Sequence, residues 1–137
     1  MQFAQICDRV EIDPAGVEPI SLSAFPGTWF NSNLDTTGIA QIVMSESAGN
    51  LLLQIFATGP AGLIDWGKVA AHIFTSGPSS RVPAGFTACY DFDFVEIQLK
   101  GMLMKGLLVL AQFHRFKDES GRADHFGREY FAQLHGS

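Results

Sequence analysis

The sequence predicts an all-β protein, a single antiparallel up-and-down β-barrel of about eight strands with a short N-terminal lead-in. Runs of β-branched and aromatic residues recur at short intervals, and clusters of glycine, proline, asparagine and aspartate separate them. No segment keeps a helical period of apolar residues. Short linkers between sequential strands favour a meander, and closing that meander into a barrel removes its exposed edges.

One domain accounts for the whole chain of 137 residues, with the lead-in over 1–25 and the barrel over 26–135. The lead-in contains Asp13-Pro14 and Pro19 and is expected to latch one end of the barrel. Glycine-containing turns at 47–50, 104–106 and 118–121 have hairpin chemistry. The expected strands are, in order, 28–32, 38–45, 50–58, 66–75, 85–92, 94–103, 106–117 and 125–134.

Composition argues against several classes of partner. The net charge of −5 lacks the basic footprint of a nucleic-acid-binding protein. No apolar run reaches the roughly 18 residues that a transmembrane helix needs. The N-terminus has acidic residues where a signal peptide has its apolar stretch. We therefore expect a cytoplasmic protein with neither nucleic acid nor membrane as its partner.

The sequence predicts neither a metal site nor a cofactor. Cys7 and Cys89 fit neither a zinc spacing nor a redox pair, and both are expected to be reduced and buried. His72, His114 and His125 lack a recognisable ligand spacing. The chain also contains no nucleophile elbow, no phosphate-binding glycine loop and no dinucleotide fingerprint.

Both faces of several strands are apolar. In 107–116 and in 50–58, large aliphatic or aromatic residues occupy both parities, whereas a barrel with one wet face would alternate more cleanly. The chain also carries 12 Phe and only 17% charged residues. We expect part of the outer wall to be covered by another copy, in a homodimer or a higher homo-oligomer.

The segment Gly27-Thr28-Trp29-Phe30-Asn31 opens the first long strand. It resembles the Gly-x-Trp start of lipocalins and, more closely, the Gly-Thr-Trp-aromatic-Asn start of avidin-like proteins. The resemblance implies an eight-stranded, calycin-type barrel in which Trp29 closes one end and an arginine near the last strand lies across it. Arg128 would take that structural role, with Arg115 as the second candidate.

The fuller pattern adds Asp65-Trp66-Gly67 and a late Arg-Phe-Lys-Asp-x-Ser-Gly-Arg. This fuller pattern resembles a group of small bacterial proteins. The resemblance implies the fold of this chain but does not indicate its activity. Asp35 stands where avidin-like proteins carry a serine or threonine that holds biotin, so biotin is not the expected ligand.

Polar and aromatic side chains inside the apolar strands are the candidate site residues. His72 and His114 lie in mid-strand, where an inward imidazole is a candidate proton shuttle and a satisfied core or surface histidine is the alternative. If their parities face inward, the two imidazoles meet in the lumen beside Tyr90, Gln54 or Glu129. Tyr90 alternates with two aspartates, which would then face solvent.

The leading interpretation is a barrel that binds a small apolar molecule inside. One alternative is a cofactor-free cyclase or isomerase of secondary metabolism, acting on a polyketide- or terpenoid-like substrate, with His72, His114 and Tyr90 as its catalytic residues. The other alternative is an oligomeric interaction module without a ligand. The candidate ligand-binding residues are Asn31, Gln54, Phe56, Trp66, His72, Tyr90 and His114.

Overall fold

A computed structural model describes residues 22–133, which form eight antiparallel strands and no helix. The strands close in sequence order into one barrel, because β1 pairs with both β2 and β8. The predicted fold class is therefore confirmed. The strands are β1 (Gly27–Asn31), β2 (Ile39–Ser47), β3 (Asn50–Gly59), β4 (Gly62–Thr75), β5 (Pro83–Asp91), β6 (Val95–Met104), β7 (Leu107–Phe116) and β8 (His125–Gln133).

Most of the expected lead-in, including Cys7, lies outside the described residues. The part of the chain that the structure describes contains no helix with the length and hydropathy needed to span a bilayer.

Each expected strand overlaps an observed one, and β4 differs most. It begins at Gly62 rather than at residue 66, because Gly59 and Gly62 pair directly and leave a two-residue hairpin turn between them. Gly62 has a φ of 128°, a conformation that favours glycine. The expected strands leave a longer connection over 59–65, because glycine and proline are typical of long loops as well as of tight turns.

A β-bulge interrupts β4 at Trp66 and Gly67. Asp65 and Lys68 pair with alternate residues of β3, so Trp66 and Gly67 together lie opposite one β3 residue. Gly67 has a φ of 89°, which suits the positive-φ position of such a bulge. The bulge adds one residue to the strand and so changes which side chains face the barrel interior after it.

The bulge places His72 on the outer face of the barrel. Trp66 packs inward before the bulge, and Val69, Ala71 and Ile73 pack inward after it. His72 is exposed, in edge contact with the exposed Phe74 at 4.8 Å between ring centroids. Strict alternation along the strand predicts that His72 faces the same side as Trp66. This prediction is wrong, because the extra residue of the bulge moves His72 to the opposite face.

One half of the barrel is packed solid. Phe25, from the segment before β1, inserts into this end and contacts Phe86 edge-on at 5.8 Å between ring centroids. The indole Nε1 of Trp29 donates to the Phe25 carbonyl oxygen at 2.9 Å, so Trp29 and Phe25 close the end together. The barrel centre is therefore filled by side chains. Its fully buried members include Ile42, Met44, Leu51, Leu53, Ile55, Leu99, Leu108, Leu110 and Phe131.

Two further side chains lie on the outer wall, contrary to expectation. Arg128 pairs in register with Ala111 and is exposed, on the face opposite to the buried Phe131. It does not lie across Trp29, whose burial the Phe25 segment provides. Cys89 is exposed, because its neighbours in β5 take the inward positions.

Candidate functional site

The other end of the barrel opens into a cup. It is surrounded by the loop between β1 and β2, the turn between β3 and β4, the turn between β5 and β6, and the loop between β7 and β8. An apolar part of about 540 Å³ and a polar part of about 890 Å³ both open to solvent. The two parts are contiguous, since they share Ile64, Trp66, Phe94 and His114 in their linings.

Aromatic rings build the apolar wall of the cup. Trp66 contacts both Tyr90 and Phe92 edge-on, with ring centroids 5.5 and 5.4 Å apart. Tyr90 stacks on Phe92 at 5.5 Å with 19° between the ring planes. Phe94 and Phe116 extend this surface toward the rim. The three rings in mutual contact hold one another in place, so the wall exists before any ligand arrives.

Tyr90 anchors this wall to the bulge in β4. Its hydroxyl donates to the carbonyl oxygen of Gly67 at 2.7 Å. Burial is the main cause that raises the pKa of Tyr90 from 10.0 to about 12, so the phenol is neutral at physiological pH. Because the Tyr90 hydroxyl donates its proton to the Gly67 carbonyl oxygen, Tyr90 holds the bulge in the conformation that directs Trp66 into the cup.

A half-buried carboxylate, that of Glu129, lies on the floor of the polar part. Its Oε2 accepts from Asn31 Nδ2 at 2.5 Å and from Thr36 Oγ1 at 3.2 Å. Its Oε1 accepts from Gln112 Nε2 at 2.9 Å. Within residues 22–133, no lysine, arginine or histidine forms an ion pair with it. Adjacent strands β7, β8 and β1 thus place one negative charge among neutral donors.

Asn31 organises the loop that borders the floor. Its Nδ2 donates to the Ile39 carbonyl oxygen at 2.9 Å as well as to Glu129, and its Oδ1 accepts from the Asn33 backbone at 2.8 Å. Both amide protons and the amide oxygen are therefore engaged. Asn31 is buried behind the floor of the cup, and its contacts orient Glu129.

Two histidines lie beside the floor. His114 and His125 are cross-strand partners on β7 and β8, with their rings stacked 4.6 Å apart at 7°. The His114 Nε2 lies 3.3 Å from Gln112 Oε1, an acceptor, so this nitrogen carries the proton. Burial, followed by the nearby His125, lowers the pKa of His114 below its usual 6.5. A hydrogen-bonded chain therefore runs from His114 through Gln112 to Glu129.

A guanidinium lies over the aromatic rim. Arg122, in the loop between β7 and β8, places its Cζ 4.3 Å from the ring centroid of Phe116 and 5.4 Å from that of Phe94. Asp118 and Ser120 hold the same side chain, each at 2.9 Å. The rim rings thus already contact a cation of this chain.

Of the seven predicted ligand-binding residues, Trp66 and His114 line the cup, and Asn31 and Tyr90 lie buried behind its lining. The structure places Gln54, Phe56 and His72 on the outer side of the wall. Gln54 donates to Asp65 there at 2.8 Å. In β3 the inward positions are Leu51, Leu53, Ile55 and Ala57. Because both parities of β3 are largely apolar, the sequence did not identify the inward set.

Sequence reasoning left Thr36, Gln112 and His125 out of the site and treated Glu129 only as a neighbour of the histidines. The alternation of residues along the strands does indicate two of these residues, Gln112 and Glu129. Gln112 continues the inward alternation of Leu108 and Leu110, and Glu129 shares the parity of Phe131. A polar residue that continues an apolar alternation faces the interior. The charged residues that precede Glu129 conceal this pattern, because they are typical of a solvated hairpin.

Fold and site together define a small closed antiparallel β-barrel, consistent with a calycin-like architecture, with one packed end and one open cup. No protein-family model, curated protein or solved structure matches the chain. Residues 22–133 contain no group of three or more metal-ligating side chains.

Proposed function

We propose that this protein binds a small molecule in the cup, with the apolar part of the ligand against Trp66 and Phe92 and its polar part toward Glu129. The observation that carries the proposal is the division of one concave space into an aromatic side and a hydrogen-bonded polar side. Small-molecule sites are typically clefts of roughly 300–1,000 Å³ with a few fixed polar groups among apolar ones.

The ligand enters the cup rather than the barrel centre, because buried side chains fill the closed half. Kinship with lipocalins and avidin-like proteins is part of this proposal and depends on the Gly27–Asn31 motif and on the barrel.

A cofactor-free cyclase or isomerase is the second candidate function. The observation that favours it is the chain from His114 through Gln112 to Glu129, which ends in the cup. A neutral imidazole next to a bound substrate is suited to proton transfer. His72 has no part in this candidate function, since it lies on the outer wall.

Binding is tested by titrating aromatic fragments into ¹⁵N-labelled protein and following amide and indole shifts. We expect shifts at the Trp66 indole and along the loops around the cup. Trp66→Ala should weaken binding at least tenfold, whereas the matched control His72→Ala, on the outer face of the same strand, should bind as the wild type does. Shifts confined to the outer wall, or equal affinity in Trp66→Ala, would contradict the proposal.

We further propose that the outer wall of β6, β7 and β8 pairs with the same wall of a second copy. Apolar side chains lie side by side across it: Phe113 stacks on Phe126 at 5.8 Å, and Phe126 is 70% exposed. Met102 and Tyr130, with the buried Val109 between them, form a second apolar row, and the row of Lys100, Ala111 and Arg128 separates the two. Two such rows exceed the scattered apolar residues of an ordinary surface.

The charges beside the Phe113–Phe126 row are largely self-complementary. Lys100 and Arg128 lie one outward position to one side of it. Glu96 and Asp124 lie one outward position to the other side, with Arg115 between them and 3.9 Å from Glu96. A two-fold axis running along that row, between two facing walls, would place Lys100 opposite Glu96 of the second copy and Arg128 opposite Asp124. This arrangement is what an isologous interface requires.

The second copy is tested by light scattering coupled to gel filtration. We expect a dimer for the wild type and a monomer for Lys100→Glu. Adding Glu96→Lys to that variant should restore the dimer, because each reversed charge then faces its opposite. A monomeric wild type, or a double variant that stays monomeric, would contradict this interface.

A further inference from the structure

We propose that the molecule the cup takes is an organic ammonium ion, a protonated amine carried a short distance from an apolar ring. This inference rests on the proposed binding function and names the chemistry of its ligand. The charges of the cup indicate a cation, and the most important of them is the carboxylate of Glu129.

Glu129 has capacity for one more donor. An ionised carboxylate offers about four acceptor positions, and Asn31, Thr36 and Gln112 occupy three of them. All three of these donors are neutral, so they orient the carboxylate and leave its charge uncompensated. A half-buried charge of this kind binds most favourably to a cation that also donates a hydrogen bond.

Most of the remaining charge of the cup is also negative. Asp35 and Asp65 are the other acidic residues in its lining, although Gln54 holds the Asp65 carboxylate on the outer side of the wall. Arg122 is the one lysine or arginine that the described lining contains. The Arg122 guanidinium is already paired with Asp118 at 2.9 Å. The mouth is therefore net negative in a chain of net charge −5, which attracts cations and repels anions.

The aromatic side of the cup already contacts a cation. Phe116 and Phe94 lie under the Arg122 guanidinium, at 4.3 and 5.4 Å from its Cζ. These rings show that the geometry of the rim accommodates a cation over an aromatic face. A ligand ammonium would thus find a carboxylate at the floor, aromatic faces at the wall and an acidic rim.

The experiment compares three probes of matched size by calorimetric titration: 2-phenylethylamine, 2-phenylethanol and 3-phenylpropionate. In the wild type we expect the amine to bind at least tenfold more tightly than the alcohol, and the carboxylate to bind most weakly. In Glu129→Gln the amine should lose this advantage while the alcohol keeps its affinity. Glu46→Gln, at an exposed acidic position near the end of β2 that lies away from the cup, is the control and should behave as the wild type does.

A wild-type measurement covers the case in which Glu129→Gln does not fold. Raising the ionic strength from 0.05 to 0.5 M should weaken the amine severalfold and leave the alcohol unchanged, because salt screens charge pairing alone. Equal binding of amine and alcohol, both lost in Trp66→Ala, would overturn the ammonium inference and leave the binding function standing. Binding of none of the three probes at millimolar concentration would overturn both.

Discussion

The carboxylate of Glu129 shows how one residue sets the character of the cup. Burial removes water from a charge and is costly unless hydrogen bonds replace the lost solvation. A lysine or arginine would satisfy the carboxylate but would also cancel its charge. The amides of Asn31 and Gln112 and the hydroxyl of Thr36 supply the hydrogen bonds instead. The floor is therefore rigid and still charged.

Tyr90→Phe tests the link between the aromatic wall and the bulge. It removes the hydrogen bond to the Gly67 carbonyl and should lower the free energy of unfolding by about 1 kcal/mol. The folded state raises the phenol pKa from 10.0 to about 12, so this contribution is fully present below pH 10 and is lost as the pH rises through 12.

Urea denaturation between pH 8 and 12 measures both effects. The wild type should lose stability across the alkaline range more steeply than Tyr90→Phe does. Parallel alkaline profiles would contradict the raised pKa of Tyr90. Tyr130→Phe, at an exposed position of β8, serves as the control.

At the scale of the element, the bulge in β4 is the feature that most affects the site. It directs Trp66 into the cup and turns the following half of the strand so that His72 faces outward. Bulges often occur beside binding sites because they redirect one side chain without ending the strand. A regular β4 would place either Trp66 or Val69 on the wrong face.

Gly67→Ala tests this element. An added Cβ meets no atom within 4 Å, so the cost comes from the backbone, where the φ of 89° disfavours any side chain. We expect a loss of roughly 1–2 kcal/mol in the free energy of unfolding and a changed Trp66 fluorescence. Gly127→Ala, where the space is also open and φ is not positive, should change stability by less than about 0.5 kcal/mol. Equal losses in both variants would contradict this account.

Most strand boundaries could be predicted from the sequence because turn chemistry is local. The turn at 47–50 and the tight hairpin at 104–107 are encoded by their own residues. The inward faces of β3 and β4 could not be predicted in this way. The bulge depends on how β4 pairs with β3, and the apolar outer residues of β3 make its two faces look alike. Glu129 was hidden for a related reason, since its three donors come from distant parts of the chain.

At the scale of the whole molecule, the barrel is closed by a short contact. β1 has five residues, and within residues 22–133 it pairs with β8 at three positions, from Trp29 to Asn31. The pairing of β6 with β7 extends over ten positions. Among the described residues, fewer ladder positions join the first and last strands than join any strands in the middle of the sheet.

Native-state hydrogen exchange tests where the barrel opens. We expect the paired amides of β1 and the facing end of β8 to exchange faster than those of β6 and β7, with opening free energies well below that of global unfolding. Uniform protection around the barrel would show that the two ends of the chain are held as firmly as its middle.

The seam between β1 and β8 passes through the floor of the cup, where Asn31 of one strand donates to Glu129 of the other. A molecule bound on that floor would stabilise the β1–β8 pairing, because it binds the closed barrel and loses its site when the two strands separate. Proteases attack chains that have opened, so an occupied barrel resists cleavage longer than an empty one. The protein's lifetime in the cell would then rise and fall with the supply of its own ligand.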